Sequence, residues 1–188
     1  VTSRNLGIGQ HVALAGESGI SKDPESFAVN GYRKYFTDKD QNVVCRLSMD
    51  GITVISNYGM TDYFRDKLST GSSGGIKAGW DAHNKQYVVS ITSEVLGNRG
   101  LTVENNTLAF DDTVKGWTSF FDYNPDQMFS IRNNFYSITN ESLYRHYSTS
   151  VKRGNFYGVD YRSSVTFILN AKSPVSSKNF KIFFFNNF

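Results

Sequence analysis

Residues 32–68 read YRKYFTDKDQNVVCRLSMDGITVISNYGMTDYFRDKL, and the reading of this stretch decides the fold. Tyr32 to Phe36 is rich in aromatics, which suits a pleated, half-buried surface. Thr37 to Asn42 is polar turn material. Val43 to Ser48 alternates, with Val43, Cys45 and Leu47 on one face and Val44, Arg46 and Ser48 on the other. Met49, Asp50 and Gly51 predict a tight hairpin turn, with Asp50-Gly51 supplying the positive φ angles of a primed turn. Ile52, Val54 and Ser56 then alternate with Thr53 and Ile55. Met60, Phe64 and Leu68 follow at i, i+4 and i+8, which is one stripe of a helix. The stretch is therefore a meander of three strands closed by a short helix.

The totals agree with this outside the stretch. The 188 residues suffice for one domain with a sizeable core or for two small ones. With 15 Phe and 11 Tyr, the composition favours β structure, and 16 Gly supply turns. Twenty basic residues against 17 acidic leave a net charge of only +3. A dedicated nucleic-acid binder would carry a concentrated basic face. Cys45 is the single cysteine, so no internal disulfide framework exists, and its place on a strand predicts a small buried hydrophobe. No window reaches the ~18 apolar residues of a membrane-spanning helix. The chain does not begin with Met, and a longer parent chain is expected.

Taken in order, Gln10 to Ala15 is a candidate strand and Ser21 to Ser26 a loop. After the meander, residues 69–75 (STGSSGG) form a Gly- and Ser-rich flexible connection. They divide residues 1–70, the meander with its helix, from residues 76–188, a second β-rich part. Ile76 to Trp80, a turn over Asp81 to Lys85, and Tyr87 to Ile91 make a hairpin. Leu101 to Phe110 and Gly116 to Tyr123 are further strands. Met128 to Ile131, Phe135 to Ile138 and Leu143 to Tyr147 make a second meander. Asn155 to Tyr161, Val165 to Asn170 and Phe180 to Phe185 follow as strands. An aromatic pair leading through a polar turn to an Arg-bearing strand occurs twice, at Tyr35-Phe36 with Arg46 and at Phe135-Tyr136 with Arg145. Recurring small meanders suit propeller blades. Fewer than four blades cannot close, so a propeller needs a longer chain or other subunits. The expected fold class is all-β, mainly antiparallel meanders, partly propeller-like or sandwich-like, with one short helix.

Motifs that carry chemistry are missing. Asp38, Asp40 and Asn42 open like a calcium loop, but Val43 and Met49 stand where such a loop needs Gly and Glu, so a hairpin turn is the better reading. His11, His83 and His146 have no metal-ligand spacing, and no Gly-x-Ser-x-Gly elbow is present. Residues 69–75 lack the Gly-Lys-Ser/Thr ending of a phosphate-binding loop. Asp111, Asp112, Glu94 or Asp160 would serve glycoside hydrolysis only as a facing pair in a cleft. Trp80 and Trp117 are candidate stacking residues for sugars or bases, with core packing the favoured alternative. Catalytic, metal and cofactor sites are expected to be absent.

Two stretches carry a resemblance. One runs from Phe36 through Asp38, Cys45 and Gly51 to Phe64. The other holds Phe110-x-x-x-Val114-Lys115-Gly116-Trp117-x-Ser119-Phe120 and continues through Phe135-Tyr136 to Tyr147. Together they resemble virion structural proteins of tailed bacteriophages, of the kind found in marine cyanophages and among the tail-associated proteins of crAss-like phages. The resemblance covers about two thirds of the chain and brings no catalytic motif. It implies a β-rich particle component, similar in style to propeller-bearing tail hubs.

The resulting expectation is a non-enzymatic structural protein of a phage tail, baseplate or neck, assembled in the host cytoplasm and residing in the virion. Its partners would be other virion proteins and further copies of itself in a ring. The apolar run Ile182, Phe183, Phe184 and Phe185 is the candidate assembly interface, since such a strand left bare is an aggregation hazard. The alternatives are a receptor- or glycan-binding module of a tail tip, contacting the host surface, and a glycan-degrading tail enzyme. Neither nucleic acid nor membrane is an expected partner.

Overall fold

The computed structural model describes residues 16–70, 75–97 and 100–165. A 3-10 turn at Pro24–Ser26 leads into β1 (Ala28–Asn30), β2 (Arg33–Asp38), β3 (Val43–Ser48) and β4 (Gly51–Val54). These four strands form the first sheet in sequence order, every pair antiparallel. β3 has the predicted bounds. Its centre has no solvent face, because Val44 and Cys45 point to opposite sides and are both fully buried. Burial pushes the Cys45 thiol up to about 11, so it remains protonated.

Two local expectations change. Ser48 pairs with Gly51, so Met49 and Asp50 are the central turn residues, and of the three only Gly51 has a positive φ, 106°. A primed turn would need positive φ at Met49, the first of the two. The arrangement is instead a turn with ordinary φ followed by a glycine in the region other residues avoid. Ile55 and Ser56, read as the end of a strand, belong to a 3-10 turn at Ile55–Asn57. The Ser56 hydroxyl accepts the Val44 backbone N–H at 3.3 Å, and the turn drops Ile55 into the core.

The helix α1 spans Thr61–Ser69. Phe64 and Leu68 are buried and Met60 packs against the same cluster, as the stripe requires. Arg65 lies outside, paired with Asp62 and Asp66. Lys67 crosses to Glu104 in the second sheet.

That second sheet holds β5 (Ile76–Asp81), β6 (Gln86–Gly97), β7 (Gly100–Asp111) and β8 (Gly116–Phe121), again antiparallel and in sequence order. Both of its faces are covered. Tyr87, Val89, Ile91, Leu108 and Phe110 join Tyr35, Val44, Ile55 and Phe64 in one core between the first two sheets. Val88 and Ala109 point the other way, onto Tyr123, Met128 and Phe135. A strand buried on both faces cannot alternate polar with apolar, which explains the run Tyr87-Val88-Val89. The larger core includes residues from both sides of positions 69–75.

The third sheet is β9 (Gln127–Ile131), β10 (Asn134–Thr139) and β11 (Ser142–Arg145), ordered β11-β10-β9. A two-stranded hairpin, β12 (Asn155–Phe156) and β13 (Val159–Asp160), follows and lays Phe156 and Tyr157 on the smaller core. The expected all-β class, built from antiparallel meanders with one helix, is therefore the observed one. The candidate strands Gln10 to Ala15 and Phe180 to Phe185, and all of Val165 to Asn170 except its first residue, lie outside the described residues.

Candidate assembly surface

In a meander, alternate turns come to the same end. The β1–β2 and β3–β4 turns share one end of the first sheet and the β5–β6 and β7–β8 turns one end of the second, and hydrogen bonds to strand residues beside these turns link the two sheets to each other and to β9. Asp112, in the β7–β8 turn, accepts from Arg33 at 3.1 Å, from Arg46 at 2.9 Å and from the Tyr35 hydroxyl. It thereby ties the second sheet to two strands of the first. Burial, and then the Asp112 carboxylate, raise the Tyr35 phenol far above its ordinary value, so it acts only as a neutral donor. Across the β5–β6 turn, the Gln86 amide reaches Asp111 and Thr118. On the other side, the Ser130 hydroxyl donates to Trp80 O at 2.6 Å and accepts the Ala82 N–H at 3.1 Å. Asp81 is fully buried beneath this turn, where it accepts the His83 and Asn84 N–H groups and the Tyr147 hydroxyl.

The tips that this frame holds are apolar and bare. Tyr32 is 80 % exposed, Met49 90 %, Val114 64 % and Ile131 55 %. Three of these side chains lie in turns and Ile131 ends β9, and exposed apolar side chains carried on a rigid frame fit protein contact. Lys85, Lys115 and Arg132 stand among them, exposed and in left-handed conformations.

The carboxylates and tryptophans singled out from the sequence are distributed as follows. Asp112 is held in the ion-pair cluster, Asp111 caps its own turn through the Thr113 N–H, and Asp160 bonds Asn155 within the last hairpin. No two of these three face each other across a cleft. Asp38 binds the Gln41 and Gly19 N–H groups in the β2–β3 turn, and among the described residues no cluster of three metal-ligating side chains occurs. Trp80 is partly buried and stacks on Tyr35 at 5.5 Å. Trp117 is partly buried, lies 4.6 Å from Phe64, and donates its indole N–H to Ile55 O at 3.2 Å. Ile182 to Phe185 lie outside the described residues. The turn end itself went unread from sequence, because each exposed tip is a single apolar residue in or beside a polar turn.

Comparison with known protein families matches residues 14–141 to the Crassvirus muzzle protein. The chain belongs to that family. The muzzle match takes in the first and second sheets, α1 and the third sheet as far as the β10–β11 turn, and so all the turns that carry the exposed tips. Membership of the muzzle family makes the chain a structural component of a phage virion, with other virion proteins as its partners. No curated protein matches the sequence.

Proposed function

We propose that this chain is a non-enzymatic wall component of the tail, baseplate or neck of a crassvirus particle, joined to its neighbours by protein–protein contact. The observation that carries this reading is the turn end, where Tyr32, Met49, Val114 and Ile131 are exposed at or beside turns braced by the bonds of Asp112 and Ser130. Near-neutral charge supports it too, since affinity must then come mainly from apolar and hydrogen-bonded contact. The run Ile182 to Phe185 is a second contact in the proposal, covered in the particle by a neighbouring strand or subunit. Several copies arranged about a symmetry axis would supply such neighbours.

The test is incorporation. Met49→Lys with Ile131→Lys should leave the isolated chain folded and reduce its recovery in purified particles. Deleting residues 179–188 should do the same. Wild-type recovery of both variants would overturn the reading, as would imaging that places a labelled chain outside the tail, baseplate and neck.

A further inference from the structure

Beside the turn end, a cavity of about 190 Å³ is lined by His83, Asn134, Phe135, Arg145, His146 and Tyr147, among others. A small-molecule site usually encloses ~300–1,000 Å³. This one has room for a single inserted side chain. Its chemistry is that of a donor set. Arg145 forms no ion pair with any described residue. The His83 ring is held flat against Tyr147 at 4.5 Å. His146 is tied through Nε2 to the Ser137 hydroxyl at 2.7 Å, and Ser137 in turn accepts the Tyr157 hydroxyl at 2.8 Å. The Ser137 hydroxyl thus meets both Tyr157 and the imidazole, and the tautomer of His146 sets which of Ser137 and Nε2 donates. Burial keeps that ring neutral, with its pKa lowered to about 4. Asp81, the carboxylate that acts on His146, is already met by two backbone N–H groups and the Tyr147 hydroxyl. In the β5–β6 turn that holds His83 and the β9–β10 turn that precedes Asn134, Lys85 and Arg132 are exposed and make no ion pair with any described residue.

We propose that this cavity receives the carboxylate side chain of an Asp or Glu on a neighbouring virion protein, with Arg145 as its ion-pair partner and the His83 and His146 rings beside it. The inference rests on the assembly reading and gives that contact its polar anchor. Apolar tips alone set no register, whereas a planar guanidinium accepts a carboxylate in one geometry. The charges on these two turns favour an acidic partner over a basic one.

The full chain can be titrated with N-acetyl-tetraglutamate and, separately, with N-acetyl-tetraglutamine, following its amide and imidazole resonances. The expected result is a saturable shift of Arg145, His83 and His146 with tetraglutamate and none with tetraglutamine. Arg145→Gln should weaken that response about tenfold, which corresponds to ~1.4 kcal/mol, while the spectrum keeps its dispersion. Arg132→Gln, which alters only the surrounding charge, should leave the response saturable at the same residues. Shifts spread evenly over exposed lysines without saturation would overturn the proposal. So would equal binding of tetraglutamine or wild-type binding by Arg145→Gln. The titration reads the cavity in the free chain, so it can fail while incorporation into particles stands, and the reverse.

Discussion

Gly79 of β5 lies directly against Met128 of β9. A Cβ at position 79 would come 2.7 Å from the Met128 Cβ and 3.0 Å from its carbonyl carbon and oxygen. The second and third sheets therefore meet at a point where only a glycine fits. The clash would be with backbone and Cβ, which cannot rotate away. Gly79→Ala should cost about 1–3 kcal/mol, seen as a lower urea midpoint. A wild-type midpoint would mean that the third sheet is free to slide.

Phe64 carries the contact between α1 and the sheets. It is fully buried, 4.6 Å from Trp117 and edge-on to Tyr63. Phe64→Ala should cost on the order of 3–5 kcal/mol. A fluorescence change at Trp117 should accompany unfolding at the reduced midpoint. A loss below about 1 kcal/mol would show that the helix contributes little to the core.

Asp112 joins two sheets through three donors, and the side chains of Asp112 and Arg46 are only 9 % and 15 % exposed. Asp112→Ala leaves the Arg46 Nη1 and the Tyr35 hydroxyl without their acceptor. The expected loss is on the order of 3 kcal/mol. Arg33→Ala should cost less than about 1 kcal/mol, because Arg33 is 47 % exposed and its pair with Asp112 is screened. Equal losses in the two variants would contradict this ranking.

His146 predicts a pH dependence. Burial lowers its pKa from 6.5 to about 4, against a smaller opposing pull from Asp81. The unfolded chain thus takes up the proton first, so stability from this residue is complete above pH 6.5 and is lost as pH falls towards 4. The unfolding midpoint should fall more steeply across that window in the wild type than in His146→Gln. Parallel slopes would assign the acid sensitivity to carboxylates alone.

How much of this was legible depended on distance along the chain. β3 and the stripe of α1 were read correctly because their signals are local alternation and an i, i+4 period. The Met49-Asp50-Gly51 turn was placed correctly and its type misread, since one glycine serves both a primed turn and a turn followed by a left-handed residue. Asp112 could be read only as a carboxylate in a polar pair. Its partners, Arg46 and Arg33, are 66 and 79 residues away, and no pattern in the chain announces them. The cavity beside Arg145 was equally silent, because His83 reaches it from a different sheet.

Each described sheet is made only of strands that follow one another in sequence. Synthesis and folding can therefore keep pace. Each meander can close once its own segment has left the ribosome, without waiting for a strand not yet made, and short-range closure of this kind is fast. What must wait is the stacking of one finished sheet on the next. Arg33 and Arg46 emerge long before Asp112, so the first sheet exists for a time without its cover, with Tyr35 and Val44 open to water. The vulnerable interval in the life of this protein is that pause, and a chain that stalls before residue 112 should be the one that chaperones hold and proteases find.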